Sequence, residues 1–453
     1  MRLKLSDILK ATGGTLLCGD ENTAVTSFIT DSRQAKAGAM FVPIRGERAD
    51  GHDYIQSVLE SGAAASFADH PVPTGEKPVV LVKDCREALQ KAAAWYRDQF
   101  SIPIVGVTGS VGKTTAKEMV AQALSAKFRV LKTAGNQNSQ VGVPITVCGL
   151  RKDHTAAVVE MGVSMPGEMA RIAAVVKPTC AVITNIGVSH IEFMKSRENI
   201  MAEKSRIADY LPPEGALFVN GDDDLLPTLR DTCGHKVVTF GLDPGCDWRA
   251  TGLNEADKGT FFTCAGPGGE KIEMFVPAAG QHNVRNALAS MAVARYLGVP
   301  AQDAVRAIAA YKAPAMRQQI LETGGLTLID DSYNASPDSM RSAIDVLAGR
   351  DVPGKRAAVL ADMLELGDYA SQGHFEVGQY AKEKGVDLLI AVGPLSKDIA
   401  AGFGKEAKWF ATNGEAIACL KEHLVPGDAV LVKGSRGMHT EEIAAALKGE
   451  TDA

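Results

Sequence analysis

The sequence lacks the features that mark several large classes of protein. Its eight cysteines are scattered, with no Cys-x-x-Cys pair and no tight cluster with histidines, so neither a disulfide framework nor a structural zinc site is indicated. It contains no run of about 18 apolar residues, and its first residues lack the apolar core of a signal peptide. We therefore expect a cytoplasmic protein in a reducing compartment, without membrane insertion.

An excess of basic residues is also absent. The formal net charge of -6 argues against a general nucleic-acid surface, although a local basic cleft could still hold an anionic substrate. An apolar content of 45% with 23% charged residues is typical of a globular protein rather than a disordered or fibrous one. At 453 residues the chain has room for about three domains. We expect a monomer that binds small molecules and no nucleic acid.

The strongest chemical signal lies in residues 106–115, Gly-Val-Thr-Gly-Ser-Val-Gly-Lys-Thr-Thr, between an apolar strand and a helical pattern. Such a turn presents backbone N–H groups and a helix N-terminus to phosphates, with Lys113 reaching the outer phosphates and Thr114 offering a hydroxyl to magnesium. The strict Walker pattern requires glycine five residues before Gly112, where Val107 stands. We predict a nucleoside triphosphate site, and a glycine turn that binds nothing is the alternative.

Two further apolar stretches end in residues that suit a metal site. Residues 156–159 precede Glu160, and residues 181–183 lead towards His190. In open parallel sheets ligands bind beyond the carboxyl ends of the strands, which is also where the phosphate loop would lie. Magnesium prefers carboxylate oxygens, and histidine is a softer partner. The alternative is that both residues are helix caps or satisfied loop residues.

Other polar residues are open to a structural or a ligand-binding interpretation. Asn136 and Asn138 lie between glycines, where they either hold an irregular loop or contact substrate phosphates. Ser32, Arg33 and Arg48 either belong to turns and solvated charge or pair with a diphosphate, because hydroxyl and guanidinium donors match phosphate oxygens. The residue types alone do not separate the two interpretations.

The rest of the chain alternates strand and helix signals. Residues 1 to about 85 indicate a small mixed domain, and from about residue 313 four apolar strands alternate with four helices, which predicts a doubly wound parallel sheet. The strand ends of that last part carry polar stretches at 330–337 and 433–437, which are either turns or ligand loops. Lys204 lies in a charged helical segment, where spacing alone indicates a solvated face.

Taken together, these motifs resemble the Mur ligases, ATP-dependent amide-forming enzymes of peptidoglycan precursor synthesis, along nearly the whole chain. The family's phosphate loop has the form Gly-x-Thr-Gly-(Ser/Thr)-x-Gly-Lys-(Ser/Thr)-(Ser/Thr), which accounts for the displaced glycine. Further family motifs follow in order at 160–162, 189–190, 280–283 and 330–334. This chain departs from the family pattern at Ser139, where the family usually has asparagine.

The stretches that decide between members of the family are 30–33, 41–52, 331–340 and 432–436. They imply the activity that adds D-alanyl-D-alanine to a UDP-N-acetylmuramoyl tripeptide through an acyl phosphate. The alternatives are a sister ligase that adds the third amino acid, folylpolyglutamate synthase, and a P-loop regulatory protein that binds nucleotide and signals to partners.

The resemblance also implies three α/β domains. A small mixed domain at 1–85 would bind the UDP-muramoyl substrate, and a central P-loop domain with a parallel sheet at 86–312 would bind ATP. A Rossmann-like, doubly wound domain at 313–453 would bind the incoming dipeptide and complete the ATP site. We expect this last domain to close over the nucleotide about a hinge near 312–314.

Site residues are carried over from the family position by position, with ATP and two magnesium ions as cofactors. The residues implied to bind ATP are Thr108, Gly109, Ser110, Val111, Gly112, Lys113, Thr114, Thr115, Asn283, Arg317 and Asp331. The implied metal ligands are Thr114, Glu160, His190 and Lys204, the last as a carbamylated lysine, and the implied catalytic residues are Lys113, His190 and Lys204. The implied substrate contacts are Ser32, Arg33, Arg48, Asn136, Asn138, Tyr333 and Asn334.

Overall fold

A computed structural model describes residues 1–46, 49–73 and 75–449 of the chain. Three β-sheets with flanking helices follow one another along the sequence, which confirms the expected α/β class. Arg48, one of the expected substrate contacts, lies outside the described residues. Over the described ranges, none of the helices combines the length and apolar character needed to cross a membrane.

The first part of the chain forms a five-stranded sheet and a separate two-stranded pair. Its strands are β1 (Leu3–Lys4), β2 (Thr15–Cys18), β3 (Ala24–Val25), β4 (Ser27–Ile29), β5 (Ala39–Phe41), β6 (Ala65–Ala68) and β7 (Val79–Leu81), and its helices are α1 (Leu5–Thr12), α2 (Ile55–Glu60) and α3 (Cys85–Arg97). The sheet order is β2-β7-β6-β5-β4, in which β4 to β7 are parallel to one another. The carboxyl ends of β5, β6 and β7 therefore share one edge.

Helix α3 joins the first part to the second. It begins after Asp84, whose side chain accepts a hydrogen bond from the N–H of Glu87 at 2.7 Å, a stabilising N-cap. Its buried face, including Leu89, Ala93 and Tyr96, belongs to one continuous apolar core that reaches from the first sheet to one face of the second.

The second part contains a nine-stranded sheet in the order β16-β15-β14-β13-β12-β11-β8-β10-β9. Its strands are β8 (Ile104–Thr108), β9 (Val130–Lys132), β10 (Ala156–Glu160), β11 (Cys180–Ile183), β12 (Ala216–Asn220), β13 (Lys236–Gly241), β14 (Trp248–Ala256), β15 (Gly259–Ala265) and β16 (Lys271–Val276). Its helices are α4 (Lys113–Leu124), α5 (Gly142–Cys148), α6 (Glu168–Val176), α7 (Ile191–Met194), α8 (Arg197–Ser205), α9 (Leu229–Thr232), α10 (Gln281–Tyr296) and α11 (Ala301–Ala309). Strands β8 to β14 are parallel, and β14 to β16 form an antiparallel extension at the edge of the sheet.

The third part has a six-stranded sheet in the order β17-β18-β22-β19-β20-β21, parallel except for β17 at its edge. Its strands are β17 (Gln319–Thr323), β18 (Leu326–Asp330), β19 (Arg356–Ala361), β20 (Leu388–Val392), β21 (Lys408–Phe410) and β22 (Ala429–Lys433), and its helices are α12 (Pro337–Ala348), α13 (Ala370–Glu383), α14 (Lys397–Phe403), α15 (Asn413–His423) and α16 (Glu441–Lys448). Separate apolar cores cover its two faces, so the predicted doubly wound arrangement is confirmed.

Candidate active site

The phosphate loop connects β8 to α4 in the predicted strand–turn–helix arrangement. Gly112 has a φ of 83° immediately before the first residue of α4. The Lys113 ammonium donates to the carbonyl oxygens of Gly109 at 2.8 Å and Ser110 at 3.1 Å. The Val111 N–H donates to Asn185 Oδ1 at 2.8 Å, so a neighbouring loop fixes the turn.

Gly109 cannot carry a side chain in this loop. Its φ is 147°, and a Cβ built on it would stand 1.9 Å from the Thr184 hydroxyl oxygen. We expect Gly109→Ala to abolish nucleotide binding, because the loop must move away from Thr184. The matched control is Gly62→Ala, since Gly62 has a φ of 112° but open space around the added Cβ. The backbone strain of a side chain at positive φ costs about 1–3 kcal/mol. Gly62→Ala should therefore lose some stability but keep ATP turnover in a phosphate-release assay. Equal losses of turnover in both variants would contradict the role of the clash with Thr184.

Glu160 ends β10 beside the phosphate loop, with its Cα paired in register with that of Val107. One carboxylate oxygen accepts hydrogen bonds from the Thr114 hydroxyl at 3.1 Å and from the Asn138 amide at 2.7 Å. The other oxygen is buried without a hydrogen-bond partner and lies 3.7 Å from the Lys117 ammonium. The Thr114 hydroxyl lies beside the buried Glu160 carboxylate, one of whose oxygens has no hydrogen bond. These oxygen donors suit a hard cation.

Lys117 was not selected from the sequence. Its side chain is fully buried on α4, 3.0 Å from Glu118 and hydrogen-bonded to the Thr133 carbonyl oxygen at 2.8 Å. Glu160 is therefore one of two carboxylates that neutralise the same buried cation.

The solvated face that spacing indicates for Lys204 is wrong. Lys204, on α8, is only 1% exposed, because this end of the helix packs under the site. Burial, with a further contribution from the Lys113 charge, holds the pKa of Lys204 well below its usual range. The pKa of Lys113 is also lowered, mainly by burial, with Arg317 adding to the effect. Lys113 and Arg317 therefore place positive charge at the phosphate loop.

His190 contacts a residue of the third part. Its Nδ1 lies 2.5 Å from a carboxylate oxygen of Glu365, and this contact lowers the pKa of the Glu365 carboxyl. Both residues have positive φ values, 63° and 62°, which are uncommon for residues with side chains. Such conformations persist where surrounding structure enforces them, often at functional sites. Sequence analysis missed Glu365, since only the packing of the two parts brings it to His190.

The third part presents a connected group of polar side chains to the phosphate loop. The Arg317 guanidinium stands 3.9 Å above the centre of the Tyr333 ring, a cation–π contact. The Asp331 carboxylate accepts from the Lys433 ammonium at 2.6 Å and from the Gln318 N–H at 3.1 Å. Lys433 also donates to the Asn334 carbonyl oxygen at 2.8 Å.

Gln318 links this group to helix α10. Its amide oxygen lies 3.0 Å from Asn283 Nδ2 and 2.9 Å from His282 Nε2. Asn283 also donates to the Ala279 carbonyl oxygen at 2.7 Å. Gln318, at the start of the third part, therefore connects Asn283, the expected adenine-binding residue, to Asp331. Sequence analysis did not select Gln318, because its role depends on where α10 lies in space.

A cavity of about 1570 Å³ lies between the second and third parts. The expected residues that line it are Ser110, Val111, Gly112, Lys113, Thr114, Thr115, Asn136, Asn138, Glu160, His190, Asn283, Arg317, Asp331, Tyr333 and Asn334. Arg86 and Lys258, which sequence analysis did not select, also line it and add positive charge. Ordinary small-molecule pockets have volumes of about 300–1,000 Å³, so this one has room for more than a nucleotide.

The other expected site residues lie outside the lining of this cavity. Thr108 is fully buried at the end of β8, and Lys204 is buried as described. Ser32 and Arg33 belong to the first part, where the Arg33 guanidinium pairs with both Asp31 carboxylate oxygens. With 88% of its side chain exposed, Arg33 faces solvent rather than the phosphate loop.

The phosphate loop, the Thr114–Glu160 pair and the third sheet opposite them define a three-part α/β protein with a nucleotide site between its second and third parts. The chain matches three Mur ligase domain models in order. They are "Mur ligase family, catalytic domain" over residues 25–97, "Mur ligase middle domain" over 107–294 and "Mur ligase, glutamate ligase domain" over 316–436.

Individual relatives agree over almost the full length. UDP-N-acetylmuramoyl-tripeptide--D-alanyl-D-alanine ligase of Bacillus subtilis is 37% identical over 433 residues, 93% of each chain. The structure of MurF from Acinetobacter baumannii matches with a TM-score of 0.92 at 32% identity, over 99% of each chain. MurF of Thermotoga maritima in complex with ADP matches with a TM-score of 0.85 at 29% identity, over 94% of this chain and 98% of that one. This chain therefore belongs to the Mur ligase family, and it is an ATP-dependent peptide ligase.

Proposed function

We propose that this chain uses ATP to join D-alanyl-D-alanine to UDP-N-acetylmuramoyl-tripeptide, giving the pentapeptide precursor of peptidoglycan. The observation that carries the proposal is the cavity in which the phosphate loop faces Arg317, Asp331 and Tyr333 across one space. The Bacillus subtilis relative bears this activity in its name. The sequence Asp331-Ser332-Tyr333-Asn334 further supports it, because sister ligases usually carry Asp-Asp-Tyr-Ala-His.

The chain's own residues divide the work of binding. Lys113 and the N–H groups at the N-terminus of α4 hold the phosphates, since a helix N-terminus and a lysine both favour anions. Asn283 contacts the adenine, and Arg317 with Asp331 completes the nucleotide site from the third part. We assign the UDP-muramoyl substrate to Ser32, Arg33, Asn136 and Asn138, and the dipeptide to Tyr333 and Asn334. The proposed domain limits are 1–85, 86–312 and 313–453.

Two magnesium ions are part of the proposal. Thr114 and Glu160 would hold the first, which fits the unpaired buried oxygen of Glu160 beside the Thr114 hydroxyl. His190 and carbamylated Lys204 would serve the second. When bound, the ions neutralise phosphate and carboxylate charge in the transition state. We also propose that the protein acts as a monomer in the cytoplasm.

The reaction has two steps. The terminal carboxylate of the tripeptide attacks the γ-phosphorus of ATP, the bond to the ADP oxygen breaks, and an acyl phosphate forms. The amine of D-alanyl-D-alanine then attacks the acyl carbon, phosphate leaves, and the nitrogen loses a proton. Lys113 offsets the repulsion between the anionic reactants, because its ammonium lies where the phosphates would be bound. The second and third parts of the chain line the cavity and limit the access of water to the acyl phosphate.

Lys204 is expected to carry a carbamate. A lowered pKa increases the unprotonated fraction of the amine, and only the unprotonated amine adds to carbon dioxide, forming N–COO⁻ and releasing one proton. In ¹³C-labelled bicarbonate the wild-type protein should show one carbamate resonance that Lys204→Arg lacks, while the control Lys152→Arg, at an exposed lysine, retains it. A spectrum without this resonance in the wild type would contradict the assignment.

The third part is expected to close further when substrates bind. Arg317, Gln318 and Asp331 follow the proposed hinge near 312–314, and the Gln318 side chain reaches the second part at Asn283 and His282. Small-angle X-ray scattering with an ATP analogue and UDP-muramoyl tripeptide should show a smaller radius of gyration than the protein alone. An unchanged radius would count against closure.

Phosphate release from ATP tests the proposed function directly. Purified protein is assayed with UDP-N-acetylmuramoyl-tripeptide and D-alanyl-D-alanine, separately and together. We expect sustained release only with both substrates, accompanied by a pentapeptide product in mass spectrometry. Turnover that ignores both substrates, or that follows a single amino acid in place of the dipeptide, would overturn the assignment.

A further inference from the structure

Three neighbouring parallel strands of the first sheet bring metal-binding side chains to one edge. His52 follows β5, Asp69 and His70 follow β6, and Cys85 follows β7. Since β5, β6 and β7 lie side by side and run in the same direction, the segments after them meet at the carboxyl edge. Sequence analysis rejected a zinc site because these residues are far apart in the chain, and the sheet topology removes that objection.

The donor atoms of these residues form a compact group. His52 Nε2 lies 3.2 Å from Asp69 Oδ1, and His70 Nδ1 lies 2.7 Å from the same oxygen. One donor atom from each of the three residues falls within 4.8 Å of the others. The Cys85 sulfur lies 3.7 Å from His52 Nε2. Ligands of a tetrahedral zinc ion, bound at about 2.0–2.1 Å, stand roughly 3.4 Å apart, so small shifts would create the site.

Asp50 orients His52 for metal binding. Its carboxylate lies 2.6 Å from His52 Nδ1 and also accepts the His52 backbone N–H at 3.0 Å. A proton on Nδ1 would satisfy this contact and leave the Nε2 lone pair facing Asp69. A carboxylate behind a histidine is the usual support of a zinc ligand. Two electron-pair acceptors facing each other at 3.2 Å need a cation between them or a proton on Nε2.

We propose that His52, Asp69 and His70 bind one divalent cation of the zinc class, with the Cys85 thiolate as the fourth ligand. Two imidazoles with a carboxylate and a thiolate suit zinc and do not suit magnesium, which prefers oxygen donors. The site is distinct from the ATP cavity, whose lining includes none of these four residues.

The charges around the site are compatible with a divalent ion. Among the described residues, the Arg45 guanidinium lies 3.0 Å from Asp69 Oδ1, and Asp50, Asp69 and Asp84 place negative charge around Cys85. A divalent ion would offset this negative charge. The Cys85 thiol would lose its proton to solvent on binding the metal.

The test uses tag-free, full-length protein treated with a chelator and then titrated with cobalt(II) as the probe for zinc. We expect one cobalt per chain, with the intense visible bands of a tetrahedral site and a near-ultraviolet sulfur-to-cobalt band, and displacement of both by zinc. Asp69→Asn and His70→Ala should weaken binding by more than the roughly 10–100-fold that loss of a supporting group costs. Cys85→Ser should remove only the sulfur-to-cobalt band.

Controls separate the site from non-specific binding. His154→Ala removes a histidine in a loop away from the cluster and should leave the cobalt spectrum unchanged. Asp69→Asn and His70→Ala carry the test rather than His52→Ala, because His52 is almost fully buried and its loss could unfold this edge. Circular dichroism and thermal unfolding of each variant verify folding.

Wild-type protein that binds no stoichiometric cobalt, or variants that bind it as tightly as wild type, would overturn the metal site and leave the cluster as a group of hydrogen-bonded side chains. A sulfur-to-cobalt band that persists in Cys85→Ser would overturn the assignment of the fourth ligand. Because none of these readouts is ATP turnover, failure of the metal site leaves the proposed ligase function untouched.

Discussion

Lys113→Met is expected to reduce kcat/KM for substrate-dependent phosphate release by about 10³-fold or more. Lys113 is the cation of the phosphate loop, and its partners are the loop carbonyls of Gly109 and Ser110 rather than a carboxylate. Its charge is therefore available to phosphates. Methionine keeps the length of the side chain, so the loss measures the charge and not the packing.

The matched control is Lys152→Met, which changes an exposed lysine in the loop before β10. It should retain wild-type kcat and KM. Far-ultraviolet circular dichroism and thermal unfolding of Lys113→Met should resemble the wild type, since its ammonium leaves only two carbonyl partners that other donors can satisfy. A Lys113→Met enzyme with kcat/KM within tenfold of wild type would remove this lysine from the catalytic assignment.

Glu160→Gln is expected to lower kcat about 10²-fold and to raise the magnesium concentration that gives half-maximal turnover. Glutamine keeps an oxygen for Thr114 and Asn138 but loses the charge on the buried oxygen that has no hydrogen-bond partner. The change also deprives the buried Lys117 of one of its two carboxylates. We therefore expect a loss of about 1–3 kcal/mol in the free energy of unfolding.

Glu118→Gln separates these two effects. Glu118 neutralises the same lysine but pairs with Lys132 near the surface instead of pointing to the phosphate loop. This variant should lose stability in urea unfolding and keep the wild-type dependence on magnesium. If both variants shift the magnesium dependence equally, the role of Glu160 is electrostatic support of Lys117 alone.

The parts of the site that the sequence predicted are those encoded by short, continuous segments. Lys113 and Thr114 follow a strand and open a helix, and Glu160 ends a continuous apolar strand, so their positions follow from local structure and from the parallel sheet. The phosphate loop and the doubly wound third sheet could likewise be predicted from local strand and helix patterns.

The parts that the sequence did not predict depend on packing between segments. Lys204 lies among charged residues of α8, and only the burial of that helix end against the site shows that it is not solvated. Gln318 and Glu365 gain their roles through contacts across two parts of the chain. Strands β2 and β6 are only four residues each, too short to show a periodic pattern.

Helix α3 determines which parts of the enzyme can move independently. Because it shares one apolar core with the first and second sheets, these two parts form a single cooperative unit, whereas the third sheet has its own cores on both faces. The proposed binding surface for the UDP-muramoyl substrate and the phosphate loop thus keep a fixed relative position during turnover. In the proposed closure only the third part moves, towards a platform that carries both the phosphate loop and the proposed UDP-muramoyl surface.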